Sequence, residues 1–139
     1  MFRWIFFIGV LNADERRWEL NRVTERIIGC AFVVGNTLGV GFLEKVYENA
    51  LVHELRKQGL KVEQQRPIEV LYDGVIVGNY QADLLVEESV ITELKAVTAL
   101  APMHFAQSMN YLKATGLTLG LLINFGTPKL EVKRVVRNF

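Results

Sequence analysis

The sequence contains one cysteine, two histidines and three prolines in 139 residues. A single thiol, Cys30, cannot close an internal disulfide, and no Cys/His cluster offers a zinc site. That cysteine usage suits a reducing compartment, so a cytoplasmic location is expected. A long hydrophobic run is also missing. The apolar stretch Trp4–Leu11 falls far short of the ~20 residues that span a bilayer, so no membrane association is expected. Arg3 ahead of it gives the stretch some likeness to a signal peptide, but no small-x-small cleavage site follows. Residues 1–18 are therefore read as an N-terminal extension outside the fold. Excess charge is absent too: 16 basic residues face 15 acidic ones, for a net charge of +1. Neutrality argues against a protein that grips a polyanion by bulk charge, while leaving room for a local basic surface. Lys129, Lys133, Arg134 and Arg137 near the C-terminus offer either phosphate contacts or an ordinary solvated strand. Internal repeats and low-complexity segments are absent.

What is present is the composition of one globular domain, 50% hydrophobic and 22% charged. A domain of this size buries roughly two-thirds of its unfolded surface, so a core forms without staples. Leu20, Val23, Ile27, Ile28, Ala31 and Val34 recur at helical spacing, predicting a helix over residues 19–34. The three glycines at 35, 39 and 41 predict a loop. A second helix is predicted from Phe42 to Gln58, with Gly59 as its stop. After that the period shortens to two. Strands are predicted over 61–71, 75–86 and 90–97, with Pro67 at an edge or bulge and Tyr72-Asp73-Gly74 as a hairpin turn. Residues 101–115 return to helix behind Pro102. The stretch 117–125 is apolar on both faces, as a buried strand should be, and 129–136 is a final, more polar strand. The order predicts an α/β fold with a mixed sheet, hairpins on one side and a helical crossover on the other.

Chemistry concentrates in the second hairpin. Glu93 and Lys95 are two apart on one strand and share a face. A three-residue turn at Glu87–Ser89 would set Asp83 opposite Glu93 on that face. A two-residue turn would put Thr92 there and send Glu93 to the far side. Facing carboxylates in apolar strands raise each other's pKa, a difficulty that a hard cation such as Mg²⁺ or Mn²⁺ removes. Lys95 could orient or deprotonate an attacking water, or neutralise charge developing on a phosphate. The bland alternative is a cross-strand ion network. Glu44 and Tyr47 lie one turn apart at the start of the second helix, where Glu44 could lend a further carboxylate or merely favour the helix dipole. Gln107 and Tyr111, four apart on the third helix, point the same way and could hold a phosphate or steady Lys95.

Four segments in this order resemble the PD-(D/E)XK nuclease superfamily, and within it the GxxExxY family and the RecB-like branch. They are Gly41-Phe42-Leu43-Glu44-Lys45-Val46-Tyr47, Ala82-Asp83, Glu93-Leu94-Lys95 and Gln107-Ser108-Met109-Asn110-Tyr111, with Ala82 standing in place of the proline. The resemblance implies a restriction-endonuclease-like mixed sheet flanked by helices over residues 19–139. It implies a metal-dependent nuclease in which Asp83 and Glu93 hold Mg²⁺ or Mn²⁺, Glu44 is an outer or additional ligand and Lys95 is the catalytic lysine. Gln107, Tyr111 and Tyr47 are expected to bind substrate or support the site. The implied partner is nucleic acid, DNA ahead of RNA, and the chain is expected to form a homodimer. The competing expectation is a non-catalytic module that uses the same fold to bind nucleic acid or a protein.

Overall fold

The structure, a computed structural model, describes residues 11–139. Two helices come first, α1 (Ala13–Leu38) and α2 (Glu44–Lys57). Three strands follow, β1 (Val62–Tyr72), β2 (Val75–Val86) and β3 (Val90–Lys95). The chain then crosses over through α3 (Pro102–Thr115) to β4 (Leu119–Asn124) and β5 (Glu131–Val136). The five strands lie in sequence order, antiparallel except for the parallel β3–β4 pair that α3 connects. This is the α/β mixed sheet that the sequence implies.

The sheet has a core on each face. Alternate residues Leu84, Val86, Val90, Leu94, Leu119, Leu121 and Ile123 pack against Ile27, Ala31 and Val34 of α1 and Leu51 and Leu55 of α2. On the other face Leu85, Ile91 and Val135 meet Tyr111 and Leu112 of α3. All six β4 residues are buried because helices cover both sides. Gly120 suits the close β3–β4 pairing, for a Cβ there would stand 3.2 Å from the Ile91 carbonyl oxygen.

Three expectations need correction. The first helix begins at Ala13, where the Asn12 side chain accepts the Glu15 N–H at 2.8 Å. Residues 13–19 are exposed, so no apolar period marks those turns. The helix also runs through Gly35 to Leu38. Gly35 lies against Leu130 and Phe125, where a Cβ would make ordinary contacts at 3.6 and 3.8 Å, so the packed helix carries the glycine through. Gly39 ends the helix instead, at φ 68°. The third strand stops at Lys95 rather than Val97, because the Asn124 side chain takes over as its partner. It accepts the Val97 N–H at 3.0 Å and donates to the Val97 carbonyl at 2.9 Å. The apolar run from Trp4 lies, as far as residue 10, outside the described residues. Among the described residues no helix is long and apolar enough to cross a membrane.

Candidate metal and nucleic-acid site

The turn between β2 and β3 is the three residues Glu87–Ser89, with Glu87 and Glu88 both left-handed and Val86 paired with Val90. Continued from Leu84↔Thr92, that register sets Asp83 opposite Glu93. The backbone ladder stops one step short, and side chains complete it. Glu93 Oε2 accepts the Asp83 N–H at 2.7 Å, and Asp83 Oδ2 accepts the Leu94 N–H at 2.8 Å. Each carboxylate thus satisfies a backbone donor that the parting strands would otherwise orphan. Glu93 is 3% exposed and Asp83 is half-buried. Lys95, two residues beyond Glu93, is half-buried and makes no direct ion pair among the described residues.

Burial, and then the Asp83 charge, push Glu93 up to about 8. Asp83 is raised chiefly by burial, with the Glu48 charge adding and the Leu94 N–H opposing. Glu44 is raised by burial and by the charges of Asp83 and Glu48, against the pull of Lys95. Glu44 and Lys95 therefore share the electrostatic neighbourhood of the two strand carboxylates. Among the described residues, however, no three acidic, imidazole or thiol groups form a ready-made metal cage. The donor chemistry suits a hard cation all the same: an all-oxygen set, costly to ionise alone, with Lys95 beside it.

The remaining expected residues divide between site and scaffold. Tyr47 is buried, stacks on Phe125 at 4.8 Å, donates its hydroxyl to the Gly39 carbonyl at 2.6 Å and accepts the Phe42 N–H at 3.2 Å. It pins the loop from which α2 and Glu44 start. Tyr111 accepts from Gln107 Nε2 at 3.0 Å, and its hydroxyl is raised by burial and then by the Glu93 charge. That pair borders the site from α3.

Two neighbours of Asp83 were missed in the sequence. Glu48, only 3% exposed, accepts from Lys45 at 2.8 Å, Gln64 at 2.6 Å and Gln65 at 2.9 Å. Its position one helical turn after Glu44 was the available signal. Gln65 also reaches Asp83 Oδ1, at a long 3.4 Å. It sits at φ 54°, so the strand alternation breaks and two consecutive glutamines reach the same carboxylate. Nothing in the sequence announces that residue's conformation.

A five-stranded mixed sheet between helices, carrying an acidic pair and a lysine on adjacent central strands, defines the restriction-endonuclease-like class. The chain belongs to the PD-(D/E)XK nuclease superfamily, whose model matches residues 21–135. Nucleases of that superfamily generally use divalent metal ions. A comparison with curated protein sequences finds no match. Among solved structures, SSO0001 is 16% identical with a TM-score of 0.51, the alignment covering 68% of this chain and 51% of that one. The chain thus spans about half the length of SSO0001. An alkaline exonuclease from Laribacter hongkongensis is 13% identical, also with a TM-score of 0.51, covering 91% of this chain and 71% of that one. At these identities the likeness establishes the fold.

Proposed function

We propose that the protein is a metal-dependent nuclease that hydrolyses phosphodiester bonds, DNA ahead of RNA, with Asp83, Glu93 and Lys95 as its catalytic set. The observation that carries this reading is the pairing of Asp83 with Glu93 beside Lys95, inside a chain of this nuclease superfamily. Asp83 and Glu93 would hold Mg²⁺ or Mn²⁺ and Glu44 would complete or support the set. When bound, the ion supplies a Lewis acid for the phosphoryl oxygens and lowers the pKa of a coordinated water. Lys95 orients the nucleophile for in-line attack and offsets charge developing on the phosphate. Gln107, through Tyr111, borders the same cleft and would face the phosphate backbone. The GxxExxY and RecB-like resemblances belong to this reading. So does a homodimer formed at the tip of the β1–β2 hairpin, where Leu71, Tyr72, Val75, Ile76 and Val77 are all exposed.

Cleavage assays on single- and double-stranded DNA and RNA test the proposal. Activity with Mg²⁺ or Mn²⁺ is expected, falling roughly 10²–10³-fold in Lys95→Ala, the scale of losing one transition-state charge partner. No cleavage with either metal, or undiminished cleavage by Lys95→Ala, overturns it.

A second reading is a nuclease fold used only for binding. It is favoured by the backbone N–H groups already bonded to Asp83 and Glu93, which hold the pair without a cation. Calorimetry separates the two: a catalytic site binds Mn²⁺ and loses it in Asp83→Asn, whereas a binding module need not.

A further inference from the structure

Beside the carboxylate pair, α3 and strands β1 and β2 leave an open groove of about 730 Å³, within the roughly 300–1,000 Å³ of typical ligand sites. Val70 and Leu71 of β1, Tyr80 of β2, and Met103, Gln107 and Asn110 of α3 line it. The helical residues recur at three- and four-residue spacing, so one face of α3 turns toward the groove. Tyr80 is 52% exposed, and its ring centre lies 5.9 Å from that of Tyr111, tilted by 51°. Two residues earlier on the same strand face, Gly78 leaves room for the ring. A Cβ there would stand 3.3 Å from Tyr80 Cε2. An aromatic ring backed by another aromatic yet open to solvent is the platform on which nucleobases stack.

The groove borders the proposed catalytic site, because Gln107 and Tyr111 line it and Tyr111 packs in one cluster with Ile91, which shares a strand face with Glu93. Its lining contains one cation, Lys113, and no acid, the charge balance a polyanion needs. The carboxamides of Gln107 and Asn110 each carry donors and an acceptor, as base edges require. We infer that this groove is a nucleobase subsite centred on Tyr80. It takes an unpaired base adjacent to the phosphate held at Asp83, Glu93 and Lys95, so the substrate class is single-stranded or locally unpaired nucleic acid. A base inside a duplex is stacked and paired and cannot enter without being extruded. The inference rests on the nuclease reading for the position of the phosphate.

Binding without metal tests it independently of cleavage. Fluorescence anisotropy in EDTA would follow a short labelled single-stranded DNA, a fully abasic strand of the same length and a blunt duplex. Tyr80→Ala should weaken the base-bearing strand roughly tenfold, the scale of one base–aromatic stack, and leave the abasic strand and the duplex unchanged. Tyr80→Phe should restore binding, and Gly78→Ala, which crowds the ring, should weaken the same strand to a lesser degree. Equal losses on the base-bearing and abasic strands, or no loss on either, overturn the subsite. So does sedimentation showing that Tyr80→Ala turns a dimer into monomers without altering DNA binding, which assigns the groove to a second copy. A wild-type protein that binds through Tyr80 yet cuts nothing refutes the nuclease reading and leaves the subsite standing.

Discussion

At the scale of single residues, Glu93 dominates the site's response to pH. Its carboxyl is pushed up to about 8 from an ordinary 4.5, so the folded metal-free protein keeps a proton that the unfolded chain releases. The folded state then binds more protons between those two values, and stability falls as pH rises through that window. The slope approaches about 1.4 kcal/mol per pH unit, the value for one proton. Thermal melts of the metal-free protein between pH 5 and 8 should show this decline, and Glu93→Gln should flatten it. A melting temperature that rises with pH over that range would contradict the burial assigned to this carboxyl. Tyr47 gives a second test, because its role here is anchoring. Tyr47→Phe keeps the stack on Phe125 but loses the hydroxyl's bonds to Gly39 and Phe42. Urea denaturation should register a loss of about 1 kcal/mol, and a larger fall in activity would place the hydroxyl in the chemistry instead.

At the scale of elements, the strands were legible because alternation and turn signals are local. Val75–Val86 runs as predicted, but the sequence left the length of the next turn open, and the left-handed Glu87 and Glu88 make it three residues. Long-range effects were not legible. The Asp73-Gly74 turn alone would set Gln64 opposite Asp83. An irregularity between Val70 and Leu71 shifts the register by one and brings Gln65 there instead, and sequence alone does not locate such a bulge. Likewise Gly35 reads as a breaker until Phe125 and Leu130 are seen against it. The site's acidic pair was readable from one hairpin; Glu48's part in it depends on how α2 leans on β1. Gly126 closes the element argument. A Cβ there would clash with the Val97 backbone, so backbone must move and the Asn124 bridge with it. Gly126→Ala should cost about 2 kcal/mol or more in chemical denaturation, and an unchanged midpoint would mean that the loop after β4 yields freely.

For the whole molecule, the edge of β1, which no strand pairs among the described residues, and the apolar hairpin tip stand out. Exposed edges invite pairing with another chain, and here the tip presents Leu71, Tyr72, Val75, Ile76 and Val77 together. If the proposed dimer uses this surface, Ile76→Glu should yield monomers in sedimentation velocity while metal binding persists. Retained dimers would place the interface elsewhere.

The crossed bonds that replace the ladder between β2 and β3 also supply a reporter. An arriving cation must draw on the same carboxylates that hold the Asp83 and Leu94 amide hydrogens. Those two amides should therefore shift in an NMR titration with a diamagnetic ion such as Mg²⁺, before any substrate is present. Amides deep in the β3–β4 pairing, such as that of Leu121, should stay silent. Two backbone signals would thus announce occupancy of the site without a single bond being cut.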